Sequence, residues 1–366
     1  MHSIQPLRFV PGYFEKIWGG HKIYDLFDQQ APPDKRIGES WLIADHPNHV
    51  SVVAEGPLTG QTLRELLHKD AASVLGFRPR LTIHGRFPLL LKILDAAEAL
   101  SVQVHPDDAA ALRLGEPDVG KTEMWHVLEA GPGAELICGL KPGLTRETFA
   151  QAIAEGAIEG EMERFLAQPG MTVFVPAGTV HAIGAGSVLA EIQQNSDITY
   201  RIYDWGRVDA QGNPRDLHLA QSEEVSQFGE AHSGAATPLT YLQGSTTVDV
   251  LGACRYFAGE RLQITSNFSR DNGGSTFHIL LGVRGCCRVD TGNGAASLSR
   301  GEALLIPGFA DHFAVEGQAE VLDFYVPDLA LDVITPLAQA GYDKTAIARL
   351  GGSPEHNDLV EYLKES

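Results

Sequence analysis

The sequence predicts a mainly β protein, built as two β-barrels in tandem with short helical insertions and a helical C-terminal tail. Short apolar runs bounded by Gly, Pro, Asn or Asp clusters dominate the chain, which is the signature of strands. One pattern also recurs. "TVFVPAGTVHAI" (172–183) and "ALLIPGFADHFA" (303–314) each run an apolar strand into Pro, a small-residue turn and a His, so that Pro176–His181 matches Pro307–His312. The stretch "FGEAHSGAATPLT" (228–240), rich in Gly, Ala and Ser, separates the copies. The expected organisation is a first barrel over 1–235, a second over 236–328 and a tail over 329–366.

Taken in order, "TGQTLRELLHKDAASVLG" (59–76) reads as a helix, with Thr59 or Thr62 as its cap. "FPLLLKILDA", "ALSVQVH", "EMWHVLEA" and "AELICGL" read as strands. "LTRETFAQAIAEGAIEGEMERFLAQ" (144–168) predicts one or two short helices, interrupted by Gly156 and Gly160. "MTVFVPAG", "SVLAEIQQ" and "ITYRIYDW" return to strand patterning, and "DLALDVITPLAQAG" and "DLVEYLKES" near the end have helical spacing with a loop between.

Composition narrows the function classes. At 366 residues, 43% hydrophobic and 20% charged, the chain has the make-up of a soluble globular protein of two domains, or of one domain plus a large appendage. It has no apolar run of the ~18 residues needed to span a bilayer, and "MHSIQPLRFVPGYF" lacks a basic region leading into an apolar one, so a cytoplasmic protein is expected. Cys138, Cys254, Cys286 and Cys287 show no C-x-x-C spacing and are expected to be reduced packing residues. A formal net charge of −19 argues against nucleic acid and anionic membrane as partners. Any phosphate must then be met by a local basic cluster.

Three segments carry candidate chemistry. In "ALSVQVHPDD" (99–108), strand alternation puts Val102 and Val104 on one face and Ser101, Gln103 and His105 on the other. Glu123 enters a strand after a Gly-Lys turn, and His181 closes the Pro176 turn. Gln, His, Glu and His make a mixed N/O set suited to Zn²⁺, and able to take Mn²⁺, Fe²⁺, Co²⁺ or Ni²⁺. The competing readings are a turn-capping His105 and a loop His181. His126, three residues past Glu123, falls on the opposite strand face and is not counted as a ligand. His278 and His312 in the second repeat have no such companions, so that barrel reads as structural or as an interface.

These segments resemble the type I phosphomannose isomerases, members of the cupin superfamily. The matching stretches are "WGG" (18–20), "GESW" (38–41), "LLLKILDAAEALSVQVHPDD" (89–108), "GKTEMWHVL" (120–128), "VPAGTVHAI" (175–183) and "LAEIQQNSDITYRIYDWGR" (189–207). The resemblance runs from about residue 6 to 220 and is to the short form of the family; the second half matches only as a degenerate barrel. It implies tandem jelly-roll barrels and metal ligands at Gln103, His105, Glu123 and His181, with one zinc per chain as the usual metal. It also implies interconversion of mannose 6-phosphate and fructose 6-phosphate. Ile183 stands where some members carry Tyr.

Beside that resemblance, Glu191 and Gln193 share a strand face, as do Thr199, Arg201 and Tyr203. If the two strands pair as a hairpin, Glu191 and Arg201 face one cavity. The family implies that Arg201 is catalytically important and that Glu191 lines the site. Glu191, or a metal-bound water it orients, is the expected proton carrier, with a Glu191–Arg201 ion pair as the competing reading. Lys121, Arg201 and Arg207 are the expected basic cluster for phosphate, with Lys121 also in the catalytic set. Lys92, in an apolar run, needs a partner or a bound anion. Ser101 is a candidate hydrogen-bond donor to phosphate or sugar. Trp18 and Trp41 read as structural aromatics. A monomer or homodimer is expected. The alternatives are another metal-dependent cupin, either an isomerase of a different sugar phosphate or an iron oxygenase, and a non-catalytic sugar-binding bicupin.

Overall fold

The structure is a computed structural model and describes residues 5–27, 32, 34–208, 212–229, 234–352 and 357–365. Residues 230–233 of the expected linker and 353–356 of the tail lie outside it. Among the described residues, two large antiparallel sheets dominate the first half, beside two short two-stranded ones. A six-stranded sheet runs in the order Thr172–Val175, Glu123–Ala130, Ser187–Gln194, Leu89–Ala96, Ile37–Ile43, Gly12–Gly20. A five-stranded sheet runs Met162–Leu166, Glu135–Leu140, His181–Ile183, Val102–Val104, Tyr200–Tyr203. A third, eight-stranded sheet collects strands between Leu239 and Tyr325.

The continuous apolar run in "LLLKILDA" has a tertiary cause. Its strand is central in the six-stranded sheet and buried along its whole length, as is Ser187–Gln194 beside it. One face, with Leu89, Leu91, Ile93 and Ile192, packs against the helix Leu63–Leu75 and against Phe277, Ile279 and Phe324 of the second barrel. The other face looks into the first barrel and carries the polar residues. A sheet covered on both sides needs apolar side chains on both, so alternation disappears except where chemistry is placed.

The five-stranded sheet follows the same logic with clean alternation. Val102, Val104, Ile137, Ala182, Tyr200 and Ile202 pack outward under Phe149 and Ala152 of the helix Arg146–Ala154. Residues of the opposite parity face inward.

Some expectations need correcting. The helical reading of 144–168 holds only for Arg146–Ala154; a 3₁₀ turn at Ile158–Glu161 then leads into the edge strand Met162–Leu166. Gly156, with φ +68°, ends the helix, and beyond it buried Met162 alternates with solvent-facing neighbours. The helix in 59–76 spans Leu63–Leu75, with Thr62 rather than Thr59 as its cap in a reciprocal capping box with Glu65. In the tail, a π-helical turn, Leu329–Ile334, continues into Thr335–Gln339, and the helix Asp358–Glu365 follows. The loop expected between them contains a further short helix, Lys344–Ala348. Cys138, Cys254 and Cys287 are buried and free, but Cys286 is exposed. Among the described residues, no helix is long and apolar enough to cross a membrane.

Candidate active site

Strand register brings the candidate residues together in two facing rows. On the five-stranded sheet, Cys138 pairs with His181, His181 with Gln103, and Gln103 with Arg201. Cross-strand partners share a face, so these side chains line one side of the barrel interior. On the six-stranded sheet, Trp125, Glu191, Lys92 and Trp41 form one row, and Glu123 and Gln193 the next. His105 follows the end of its strand, where two backbone contacts set it. Gly178 donates its N–H to the His105 carbonyl at 2.8 Å, and Lys121 N–H reaches the Pro106 carbonyl at 2.9 Å. Gly178 has φ +86°, and a Cβ there would lie 2.9 Å from the Val225 carbonyl oxygen, so the Pro176 turn requires glycine.

The ligand atoms of His105, Glu123 and His181 all lie within 4.8 Å of one another, and the three residues are buried. His105 Nδ1 is 2.7 Å from the Ile198 carbonyl and His181 Nδ1 is 2.8 Å from the Thr179 carbonyl. A carbonyl only accepts, so both Nδ1 atoms carry hydrogen and the neutral rings present Nε2 lone pairs. Burial drives the pKa of His105 down to about 3, with help from Lys121, and lowers that of His181, so both are neutral at physiological pH. Nε2 of His105 and of His181 then point at Glu123, at 3.5 and 3.4 Å from its two oxygens.

Burial would raise the Glu123 pKa, but Lys121 and the two histidines outweigh it and hold the carboxylate ionised. Its Oε2 is buried without a hydrogen bond of good geometry. Gln103 Nε2 donates to His181 Nε2 at 3.2 Å, and a flip of the amide presents Oε1 in its place. The Lys121 ammonium stands in for a cation, 3.1 Å from His105 Nε2 and 2.9 Å from Glu123 Oε2. Two neutral imidazoles, a carboxylate and an amide around a site that already holds positive charge fit a divalent metal ion.

A second carboxylate completes the interior. Trp125 Nε1 is shared between Glu123 and Glu191, at 2.9 and 3.1 Å. Burial and the Glu123 charge push Glu191 up to about 7. Two neighbouring carboxylates thus have their pKa values driven apart, the pattern of a site that separates a permanent anion from a proton carrier.

Lys92 lies 3.6 Å from Glu39 and 3.7 Å from Glu191, with its ammonium 4.8 Å above the Trp41 ring. Burial works against its charge, but Glu39 and then Glu191 overcome this and raise its pKa. Burial likewise opposes Glu39, yet Lys92 and Lys16 hold it at about 2. Both values are raised, which favours charge on Lys92 and disfavours it on Glu191, and the neighbours reconcile the two: Glu39 is the stronger influence on Lys92, while burial and then Glu123 outweigh Lys92 at Glu191.

The expected hairpin is absent. The Glu191 strand pairs with the Leu89 and Glu123 strands, whereas the Arg201 strand pairs with Val102–Val104 in the other sheet. The two residues share the interior from facing sheets, and Glu191 pairs with Lys92 and lies 4.0 Å from Lys121 rather than pairing with Arg201. Arg201 donates from Nη1 to the Asp216 carbonyl at 2.9 Å, while its buried Nε has no acceptor. Arg207 and Arg215 both bind Asp204, and Arg207 also caps the Ala99 carbonyl at 2.5 Å. Burial and these neighbouring arginines lower the Arg201 pKa. Ser101 is buried just before Gln103 on the same face. His126 faces away and bonds Thr172 at 3.0 Å.

Three contributors were not singled out from the sequence. Glu39 sits in "GESW", read only as structural, although i, i+2 alternation aligns it with Trp41, whose Nε1 it accepts at 2.6 Å. Arg215 lies in a loop with no local signal. Asp108 accepts from Gly120 N–H at 2.8 Å, Gln194 at 3.0 Å and Tyr256 of the second barrel at 2.9 Å, tying the loop after His105 to the Lys121 turn.

Fold and site together define a β-barrel protein with a candidate metal site and, beside it, a buried carboxylate of raised pKa. Residues 7–123 match the family described as "Phosphomannose isomerase type I, catalytic domain". The chain is 36% identical over 325 residues to the mannose-6-phosphate isomerase ManA of Bacillus subtilis, covering 87% of this chain and 98% of that protein. It is also 36% identical to the mannose-6-phosphate isomerase of Streptococcus mutans, covering 97% of it. The crystal structure of a B. subtilis mannose 6-phosphate isomerase superposes with a TM-score of 0.79 at 31% identity, covering 88% of this chain and 99% of that one. The chain belongs to the type I phosphomannose isomerase family.

Proposed function

We propose that the chain is a metal-dependent aldose–ketose isomerase that interconverts mannose 6-phosphate and fructose 6-phosphate. The observation that carries this is the convergence of two neutral imidazoles, Gln103 and ionised Glu123 beside a carboxylate, Glu191, with a pKa near neutrality. Gln103, His105, Glu123 and His181 would hold one divalent ion, with zinc suited to the donor set and other divalent metals also accepted. A bound ion supplies Lewis-acid stabilisation of negative charge developing on the sugar oxygens.

Glu191 removes the proton from C2 of the open-chain aldose and returns it to C1 of the enediolate, while the O2 proton passes to O1. Lys121, 4.0 Å from Glu191, orients it and carries the oxygen proton. The free Nε of Arg201 donates to the enediolate oxygen. Arg201, Arg207 and Arg215 supply the local positive field that phosphate needs against the acidic surface, and Ser101 adds a hydroxyl donor. Lys92 shares its charge between two carboxylates and is assigned to fixing Glu191, instead of binding phosphate. We retain 1–235, 236–328 and 329–366 as the functional divisions, and a cytoplasmic monomer or homodimer as the working form.

The test is a coupled assay of mannose 6-phosphate to fructose 6-phosphate before and after chelation, with metal restored, alongside metal analysis of His105→Ala. Activity removed by chelation and recovered with zinc supports the reading, as does bound metal well below one per chain in the variant. Lack of turnover in metal-loaded protein refutes the reaction, and unchanged metal content in His105→Ala moves the metal elsewhere.

A further inference from the structure

The second barrel has a half-open cavity of about 330 Å³ whose chemistry the isomerase site does not use. Its floor is a closed ionic network. Arg270 binds Glu260 at 2.5 Å and Asp323 at 2.8 Å, and Tyr325 donates to Glu260 at 2.7 Å. Asp323 also accepts from Nδ1 of His278 at 2.9 Å. His278 is 2% exposed and lines the cavity; its Nδ1 is the nitrogen held by Asp323, and its Nε2 is not among the buried polar atoms left without a partner but opens to the cavity. The Tyr241 hydroxyl, on the wall, has no hydrogen-bond partner among the described residues.

An imidazole held by a carboxylate on one nitrogen and free on the other is oriented toward something. As a purely structural core the network is complete without Nε2 and without a cavity of this size. We propose that this cavity binds a neutral polyhydroxylated ring, an unphosphorylated monosaccharide, with His278 Nε2 and the Tyr241 hydroxyl as its hydrogen-bonding groups.

The charge balance selects the class. Arg270 is the one cation among the lining residues described, and Glu260 and Asp323 consume it. Asp271 and Asp332 at the mouth add negative charge, although Asp332 pairs with Arg78. A phosphate would therefore meet repulsion. The groups left open are an imidazole and a phenol, and exposed Leu331 with Pro336 offers apolar surface to the C–H face of a sugar ring. Among the described residues, the acidic and imidazole groups here do not converge as metal ligands, unlike those of the first barrel.

The test is saturation-transfer NMR on the metal-loaded full chain with D-mannose and D-glucose at up to about 50 mM, a range that detects weak complexes. Excess mannose 6-phosphate serves as competitor, and His278→Gln and Tyr241→Phe as variants. Transfer that persists under the phosphorylated competitor and weakens about three- to tenfold in each variant, as loss of one hydrogen bond implies, supports the proposal. Isomerase rate is expected to stay at the wild-type value in both variants, and the melting temperature in Tyr241→Phe.

Absence of transfer to either sugar overturns the proposal. So does a signal that both variants leave unchanged, or one that mannose 6-phosphate removes. Binding of a polyamine probe such as spermidine in place of the sugars also refutes the neutral class. The competitor depends on the function proposed above but the variants do not, so failure of one reading is distinguishable from failure of the other.

Discussion

Replacing Lys92 by Met keeps a side chain of similar length in the barrel and removes only the charge. In the structure that charge lies 3.6 Å from Glu39 and 3.7 Å from Glu191, all three side chains being nearly fully buried. Coulomb's law at an effective dielectric of about 20 gives about 4–5 kcal/mol for each contact, partly offset by the cost of burying the ammonium. Glu39 retains Lys16 at 2.8 Å and the Trp41 N–H at 2.6 Å, so its loss is moderate. Glu191 retains only the shared Trp125 N–H and the more distant Lys121. Breaking a buried pair of this kind costs ~3–5 kcal/mol, and the surviving partners place this one near 3.

The pH dependence follows from the signs. The Lys92 pKa is raised on folding, so the wild type holds this stabilisation at pH 8 and loses it only in strong alkali. In the variant the orphaned carboxylates have raised folded values, so the penalty is present at high pH and relieved as they protonate. Glu191 is already at about 7, so the gap between variant and wild type should narrow between about pH 8 and pH 5. Urea denaturation followed by tryptophan fluorescence reads this half of the chain, because Trp18, Trp41, Trp125 and Trp205 all lie in it. A loss below ~1 kcal/mol at pH 8, or an equal loss at both pH values, would refute the assignment of Lys92 as the partner of two buried carboxylates.

Arg201→Ala should retain its metal and lose roughly 10²–10³-fold in kcat, as expected when one donor to a developing oxyanion is removed; near-wild-type turnover rejects that role. Gly178→Ala meets both positive φ and the Val225 carbonyl, so it should cost at least ~1–2 kcal/mol and, by displacing the His105 carbonyl, weaken metal retention. Wild-type stability and metal content together would count against that turn as the element that sets His105. Burial would raise the pKa of Asp118, but hydrogen bonds from His46 and Arg86 outweigh it and hold the carboxyl at about 2. A depressed value means the contribution is whole above about pH 4 and disappears as pH falls toward 2. Against the ordinary carboxyl value that is about 2 kcal/mol, and acid titration of Asp118→Asn should show a correspondingly shallower decline than wild type.

The local period of the chain was enough to say what each strand presents. Period-two alternation fixes that Gln103 opposes Val102 and Val104, that His126 opposes Glu123, and that a lysine among "LLL" and "IL" must find an anion, because these depend only on neighbouring residues. The turn chemistry around Pro176 and Gly178 is equally local. Sequence motifs therefore carried the β class and brought forward His105, Glu123 and His181, whose ligand atoms the fold gathers within 4.8 Å.

Pairing decided the rest. Glu191 and Arg201 are close in the chain and separated by a short turn, which favours a hairpin, yet each strand found a better-matched partner in a different sheet. The register Trp125–Glu191–Lys92–Trp41 supplied Lys92 with Glu39 and Glu191, and no spacing rule points to either. Met162–Leu166 became an edge strand because Glu135–Leu140 offered it a partner, against its helical composition. The Arg270 network joins three consecutive strands, which carry Glu260, Arg270 and His278, to the later strand of Asp323 and Tyr325. A side chain's face is set by its own backbone, but its partner is set by long-range strand pairing, and that is a property of the whole fold.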